Sequence, residues 1–155
     1  MIEAIQLYLA AALQISPPSI EALAMALDRL ALAYGEAPCG APADEDTEAP
    51  DHDRGAIRRL VADRFPELGF YAVVDPLAVL PETPLVGDAI DDIAEIADDL
   101  SEVLWRFTAV GADDAYWHFR FDYQTHWGRH LHDLRSYIHA KLFGLSTGRA
   151  PFGAD

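Results

Sequence analysis

The sequence predicts an all-α fold, a bundle of about five helices, and three observations carry that reading. Apolar residues recur by threes and fours over most of the chain, the spacing of one face of a helix. Proline falls between those periodic runs, and glycine does so at Gly35, Gly111 and Gly144. The chain has 155 residues, 51% of them hydrophobic, enough for a core that needs no disulfide or metal.

Residues 2–15 make the first helix, with Ile2, Ile5, Leu9, Ala12 and Leu13 on one face. Ser16-Pro17-Pro18-Ser19 ends it, and Ser16 is the expected N-cap of the second helix. That helix carries Ile20, Leu23, Leu27, Leu30 and Tyr34 and is expected to stop at Gly35. The short linker makes the two an antiparallel hairpin. Residues 35–53 contain seven acids, three prolines and no lysine or arginine, the composition of a mobile surface loop. Helix three spans 54–65, capped by Asp53 and stopped by Pro66.

Leu68 to Val74 looks strand-like, but no partner strand is evident. It is therefore read as an extended, buried stretch of an irregular Pro-rich connection between helices three and four. Helix four runs from about Asp88 to Val110, and helix five from Asp113 to Phe143, ~45 Å long if unbroken. Gly128 in the middle of helix five marks a kink or a close helix contact. Residues 1–145 thus form one helical domain, with a loose tail at 146–155.

Charge narrows the function. With 26 acidic against 11 basic residues the net is −15, and no positive stripe exists to displace counterions from a nucleic acid or meet an anionic membrane. No apolar run approaches a membrane span, and Met1-Ile2-Glu3-Ala4-Ile5 lacks the positive start of a signal peptide, so a cytoplasmic location is expected. Cys39, the single cysteine, rules out an internal disulfide.

Two constellations carry possible chemistry. Helix four bears Asp88, Asp91, Asp92, Glu95, Asp98, Asp99 and Glu102, with Asp92, Glu95 and Asp99 at i, i+3 and i+7. Such ladders hold divalent cations when they point inward. The apolar stripe Ile90, Ile93, Ala97, Leu100 and Leu104 puts them outward, so the expectation is a solvated or partner-facing surface. Helix five presents a core stripe of Tyr116, Tyr123, Trp127, Leu131, Leu134 and Ile138, with Trp127 a packing anchor and Arg120 in need of a partner on helix four or on another chain. His126 and His130 sit one turn apart at its edge, with Asp122 a turn earlier, and these three are a candidate metal or ligand site. Trp127 stands where a zinc protease would have its glutamate, which excludes that family.

Three stretches resemble a bacterial family known only as domain of unknown function 5063. They are Leu68-Gly69-Phe70-Tyr71 before Asp75-Pro76, Val86-Gly87-Asp88 followed by Asp91 to Ile96 and Asp99-Leu100, and Phe121 to His130 with Leu134-Arg135. The resemblance implies a helical protein and marks Asp92, Glu95, Asp99, His126, Trp127, Gly128 and His130 as motif positions. It brings no activity or cofactor. The function expected is a non-catalytic interaction or regulatory protein, self-associating or binding a protein partner, with no cofactor. The alternative is a metal-binding bundle or a metal-dependent small-molecule (phospho)hydrolase.

Overall fold

The computed structural model describes residues 1–43, 47–77, 79 and 83–144. The expected tail at 146–155 lies outside them. The elements in order are α1 (Ile2–Leu13), α2 (Ile20–Glu36), α3 (Arg54–Arg64), β1 (Phe70–Val73), β2 (Leu85–Asp88), α4 (Ala89–Ala109), α5 (Ala112–Asp122), a π-helical turn (Tyr123–Trp127) and α6 (Gly128–Phe143). The π turn joins α5 and α6 without leaving helical geometry. The described residues therefore form five helical rods, as the periodicity predicts. No helix among them is long and apolar enough to cross a membrane.

Helix α4 is the axis of the bundle. It packs against α1, α3, α5 and α6, and α2 closes the outside against α1 and α6. Its small residues Ala89, Ala94 and Ala97 are buried and let neighbours approach closely, while Ile93, Ile96, Leu100 and Val103 fill the space between. The Tyr8 hydroxyl donates to the Ile93 carbonyl at 3.0 Å, which satisfies the one polar atom α1 sends inward there.

Three local expectations change. The N-cap of α2 is Ser19, whose Oγ accepts from Ala22 N at 3.1 Å; Pro18 disfavours helical backbone at Pro17, so no helix starts at Ser16. Helix α2 runs through Gly35 to Glu36. Arg120 finds its partner at the end of α2 and not on α4. It donates to the carbonyls of Tyr34 and Ala37 at 2.9 and 3.0 Å and lies over the Tyr34 ring, capping the C-terminal end of α2. Arg64 does the same for α1, donating to Ala12 and Ile15 at 2.7 and 2.6 Å.

The stretch after α3 is a correction. Phe70–Val73 does pair, antiparallel with Leu85–Asp88, in the register Phe70↔Asp88, Tyr71↔Gly87, Ala72↔Val86 and Val73↔Leu85. The second strand is four residues long, contains a glycine and follows Pro84, so it carries no period-2 signal. Nor is the stretch buried throughout. Phe70 and Val86 face outward, 75% and 76% exposed, while Val73 packs inward. The acidic loop has no regular structure in its described parts, but its flanks are tied down. Ala43 N donates to Asp114 at 2.8 Å, and the Thr47 carbonyl accepts from Arg106 at 3.4 Å.

The π turn sets the phase of the last rod. In an unbroken α-helix the stripe through Trp127, Leu131, Leu134 and Ile138 would continue back to Arg120. The extra residue moves Phe119 and Ala115 into that place, and both are fully buried. Tyr116, expected on the stripe, is only half-buried, and Arg120 is freed to reach α2. Gly128 makes the turn possible. Its N–H bonds the Tyr123 carbonyl, and a Cβ there would lie 2.2 Å from that same oxygen. Gly128→Ala is therefore expected to destabilise the protein by about 1–3 kcal/mol, read as a lowered midpoint in urea unfolding. A variant as stable as the parent would show that the turn has another way to close.

Candidate functional site

The acidic side of α4 is not an open surface, which corrects the outward placement expected from its apolar stripe. Helix α3 and the segment before it meet it on one side: His52 and Arg54 pair with Asp98, and Arg58 bridges Asp88 and Asp91 at 2.7 and 3.1 Å. At the lower end Arg106 holds Glu102 at 2.8 Å and Asp114 at 3.2 Å. Burial alone would raise the Asp114 carboxyl, but the Ala43 N–H and the Arg106 guanidinium hold it below its ordinary value.

The remaining carboxylates, Asp92, Glu95 and Asp99, meet the π turn and the start of α6. Asp92 Oδ1 lies 2.7 Å from His130 Nδ1, and Asp99 Oδ2 lies 2.7 Å from His126 Nδ1. An ionised carboxylate only accepts, so each Nδ1 carries the proton of its bond. That leaves both Nε2 atoms turned the other way, and both turn to Glu95. Its Oε2 is 3.2 Å from His130 Nε2 and 3.8 Å from His126 Nε2. One ligand atom from each of Glu95, His126 and His130 falls within 4.8 Å of the others. The two rings stand 5.0 Å apart at 75°.

The two constellations read separately in the sequence are thus one. All six candidate residues lie on this side of α4, but Asp122 is not among the converging donors; Glu95 takes the third position. Asp122 precedes the π turn and is half-buried near Asp99 and Glu102. Burial, with those two neighbours adding to it, pushes its carboxyl up to about 7. Asp99 is raised as well, by burial first. His130 is raised above its ordinary value by the hydrogen bond it donates to Asp92, against the opposing effect of burial. Tyr71 is the residue sequence reasoning did not assign to the site: its hydroxyl donates to Asp92 Oδ2. The missing signal is the hairpin itself, without which nothing brings residue 71 to residue 92. Trp127 and Gly128 are both buried and belong to packing. Glu95 and His130 also line a cleft of about 370 Å³ between α4, α6 and the hairpin, with Asp91, Arg129 and Asp133 at its edge.

Fold and site together define a helical bundle whose central helix meets two oriented histidines with three carboxylates. The chain belongs to the domain of unknown function 5063 family (DUF5063), whose model matches residues 21–143. It is also similar to protein BF1032 from Bacteroides fragilis, known from a crystal structure, with 18% identity, a TM-score of 0.65, and 96% of this chain and 95% of that one covered. At that identity the likeness concerns the fold alone. No curated protein matches the chain.

The shifts have a measurable consequence in metal-free protein. A histidine raised on folding contributes stability below its unfolded value of 6.5, and that contribution is lost as pH rises through the folded value. A carboxyl raised from 3.8 to about 7 costs stability over the same direction, because folded protein holds a proton the unfolded chain has released. Both effects make stability fall with rising pH between about 5 and 8. Asp122→Asn is expected to flatten this dependence and to stabilise metal-free protein at pH 8 by about 1–2 kcal/mol, a figure discounted for the solvent that still reaches the group. Denaturant midpoints of both proteins across that range check it. An unchanged slope would mean that Asp122 titrates normally.

Proposed function

We propose that this protein is a metal-binding helical bundle in which Glu95, His126 and His130 hold a divalent transition-metal ion. One observation carries the reading. Each imidazole has its Nδ1 held by its own aspartate at 2.7 Å, while its Nε2 points at a shared glutamate oxygen. Metal-binding histidines are oriented in this way, the outer carboxylate fixing the tautomer and making the inner nitrogen more basic. Two imidazoles and a carboxylate suit zinc or iron(II). Asp92 and Asp99 have the orienting role.

Three protein ligands leave coordination positions open, the mark of a catalytic site. The adjoining cleft gives a small molecule access to Glu95 and His130. This supports metal-assisted hydrolysis, where the ion generates hydroxide near neutral pH. Asp88, Asp91, Asp92 and Asp133 around the cleft weigh against a phosphorylated substrate. We place the protein in the cytoplasm, where the free thiol of Cys39 stays reduced.

The interaction reading draws on an outward acidic face, and α3, the π turn and α6 pack along that face. What supports an interaction role instead is the outer side of the hairpin, where Phe70 and Val86 are exposed. Under it, the double change of Phe70 and Val86 to serine shifts any self-association seen by light scattering and leaves metal binding intact.

The test of the metal reading is a zinc titration against a chromophoric chelator. One equivalent is expected to bind, and His126→Ala and His130→Ala are each expected to weaken binding by more than about tenfold. Protein prepared without chelator that neither carries nor takes up a stoichiometric ion sinks the proposal.

A further inference from the structure

Tyr71 reaches the site from a strand, and everything around it fixes its position. It lies opposite Gly87 in the hairpin, and a Cβ at position 87 would come within 2.6 Å of its Cζ, so only glycine leaves room for the ring. The ring also stacks on Tyr137 of α6, with centroids 4.8 Å apart and planes at 12°. Held between strand and helix, the ring sets its hydroxyl against Asp92 Oδ2, while the other oxygen of that carboxylate holds His130. Asp92 is 6% exposed, so water does not compete for either bond. Burial raises the phenol far above its ordinary value, with the Asp92 charge adding to this, so the group stays a donor.

We propose that Tyr71 is a positioning residue of the metal site, locking the plane of Asp92 so that Asp92 in turn presents His130 Nε2 to the ion. The inference rests on the metal reading above. A carboxylate with one donor can rotate about its own bond; a second donor on the far oxygen removes that freedom. The two arms of the site differ in this respect. Among the described residues, the Asp99 side chain hydrogen-bonds His126 alone, while Asp92 is held from both sides. The hairpin is therefore a working part of the site, and Gly87 is the position that allows it.

Tyr71→Phe keeps the ring, its stack on Tyr137 and its fit over Gly87, and removes only the hydroxyl. Zinc affinity at pH 7 is expected to weaken about tenfold, the effect of losing an outer-sphere orienting group. Phe70→Ser, on the outer face of the same strand, serves as control and is expected to leave affinity unchanged. Equal or tighter zinc binding by Tyr71→Phe overturns the proposal, as does an equal loss in the Phe70→Ser control. Should the parent protein bind no zinc, the metal reading fails by itself and Tyr71 is judged on the metal-free protein. Long-range nitrogen–proton spectra, recorded at a pH where His130 is neutral, then report its tautomer. The parent is expected to show the Nδ1-protonated form and Tyr71→Phe a mixture of both forms. The same single tautomer in both proteins overturns the positioning role.

Discussion

Helix α4 is enclosed on nearly every side, and its charges must therefore be answered from its neighbours. An unpaired charge taken out of water costs several kcal/mol, more than any one packing contact returns. The helix and its N-cap Asp88 carry seven acids through to Glu102, and α3, the π turn and α6 each answer some of them. Arg54 and Arg58 come from α3, Arg106 from α4 itself, His126 from the π turn and His130 from α6. The arrangement is directional: arginines, with His52 beside them, meet the acids on the α3 side, and imidazoles alone meet those on the α6 side. Arginine neutralises permanently, whereas imidazole offers a second nitrogen that another group can use. The α6 side is consequently where chemistry can occur.

The π turn decides which imidazoles arrive there. A straight helix would bury Arg120 beneath the bundle and leave Phe119 at the surface, a double penalty of an unpaired charge and exposed apolar area. One extra residue in the turn reverses both. It also places His126 inside the wider turn and His130 just after it, so that the two rings close on one oxygen of Glu95. The packing requirement at Phe119 and the geometry of the candidate site are met by the same backbone irregularity. Gly128 permits it, because only a residue without Cβ tolerates the Tyr123 carbonyl at that distance.

These two facts explain what was legible in the sequence. The helices were, since periods of three and four survive in any packing: Leu23, Leu27 and Leu30 of α2, and Leu131, Leu134 and Ile138 of α6, are all core residues. The one-turn spacing of His126 and His130 was legible too, as was the spacing of Asp92, Glu95 and Asp99. Their meeting was not, because a hydrophobic stripe tells which face of a helix is most buried and not how many neighbours the helix has. An amphipathic reading of α4 assigns its polar face to water; a central helix has no such face. The exchange of Asp122 for Glu95 has the same kind of cause. Residues four apart line up only in regular helix, and Asp122 and His126 stand on either side of the start of a π turn. The hairpin escaped because its second strand is short and its first strand's partner lies beyond a run of prolines.

The charge count at the site gives a reason for its composition. Asp92, Glu95 and Asp99 together bring three negative charges within reach of two imidazoles. Each imidazole that takes a second proton adds one positive charge, and two such protons carry the same charge as one divalent ion. Protons on the two Nε2 atoms and a metal between them are thus alternative ways to satisfy one negative cluster, and they exclude each other because they occupy the same lone pairs. On the proposed metal reading, uptake of the ion would release protons and strengthen as pH rises. The same rise in pH is expected to weaken the metal-free fold, through His130 and Asp122. Above neutrality, therefore, the fold has most to gain from a bound cation where the ligands are most ready to accept one. A merely solvated acidic surface, screened by water and salt, would show neither half of that coupling.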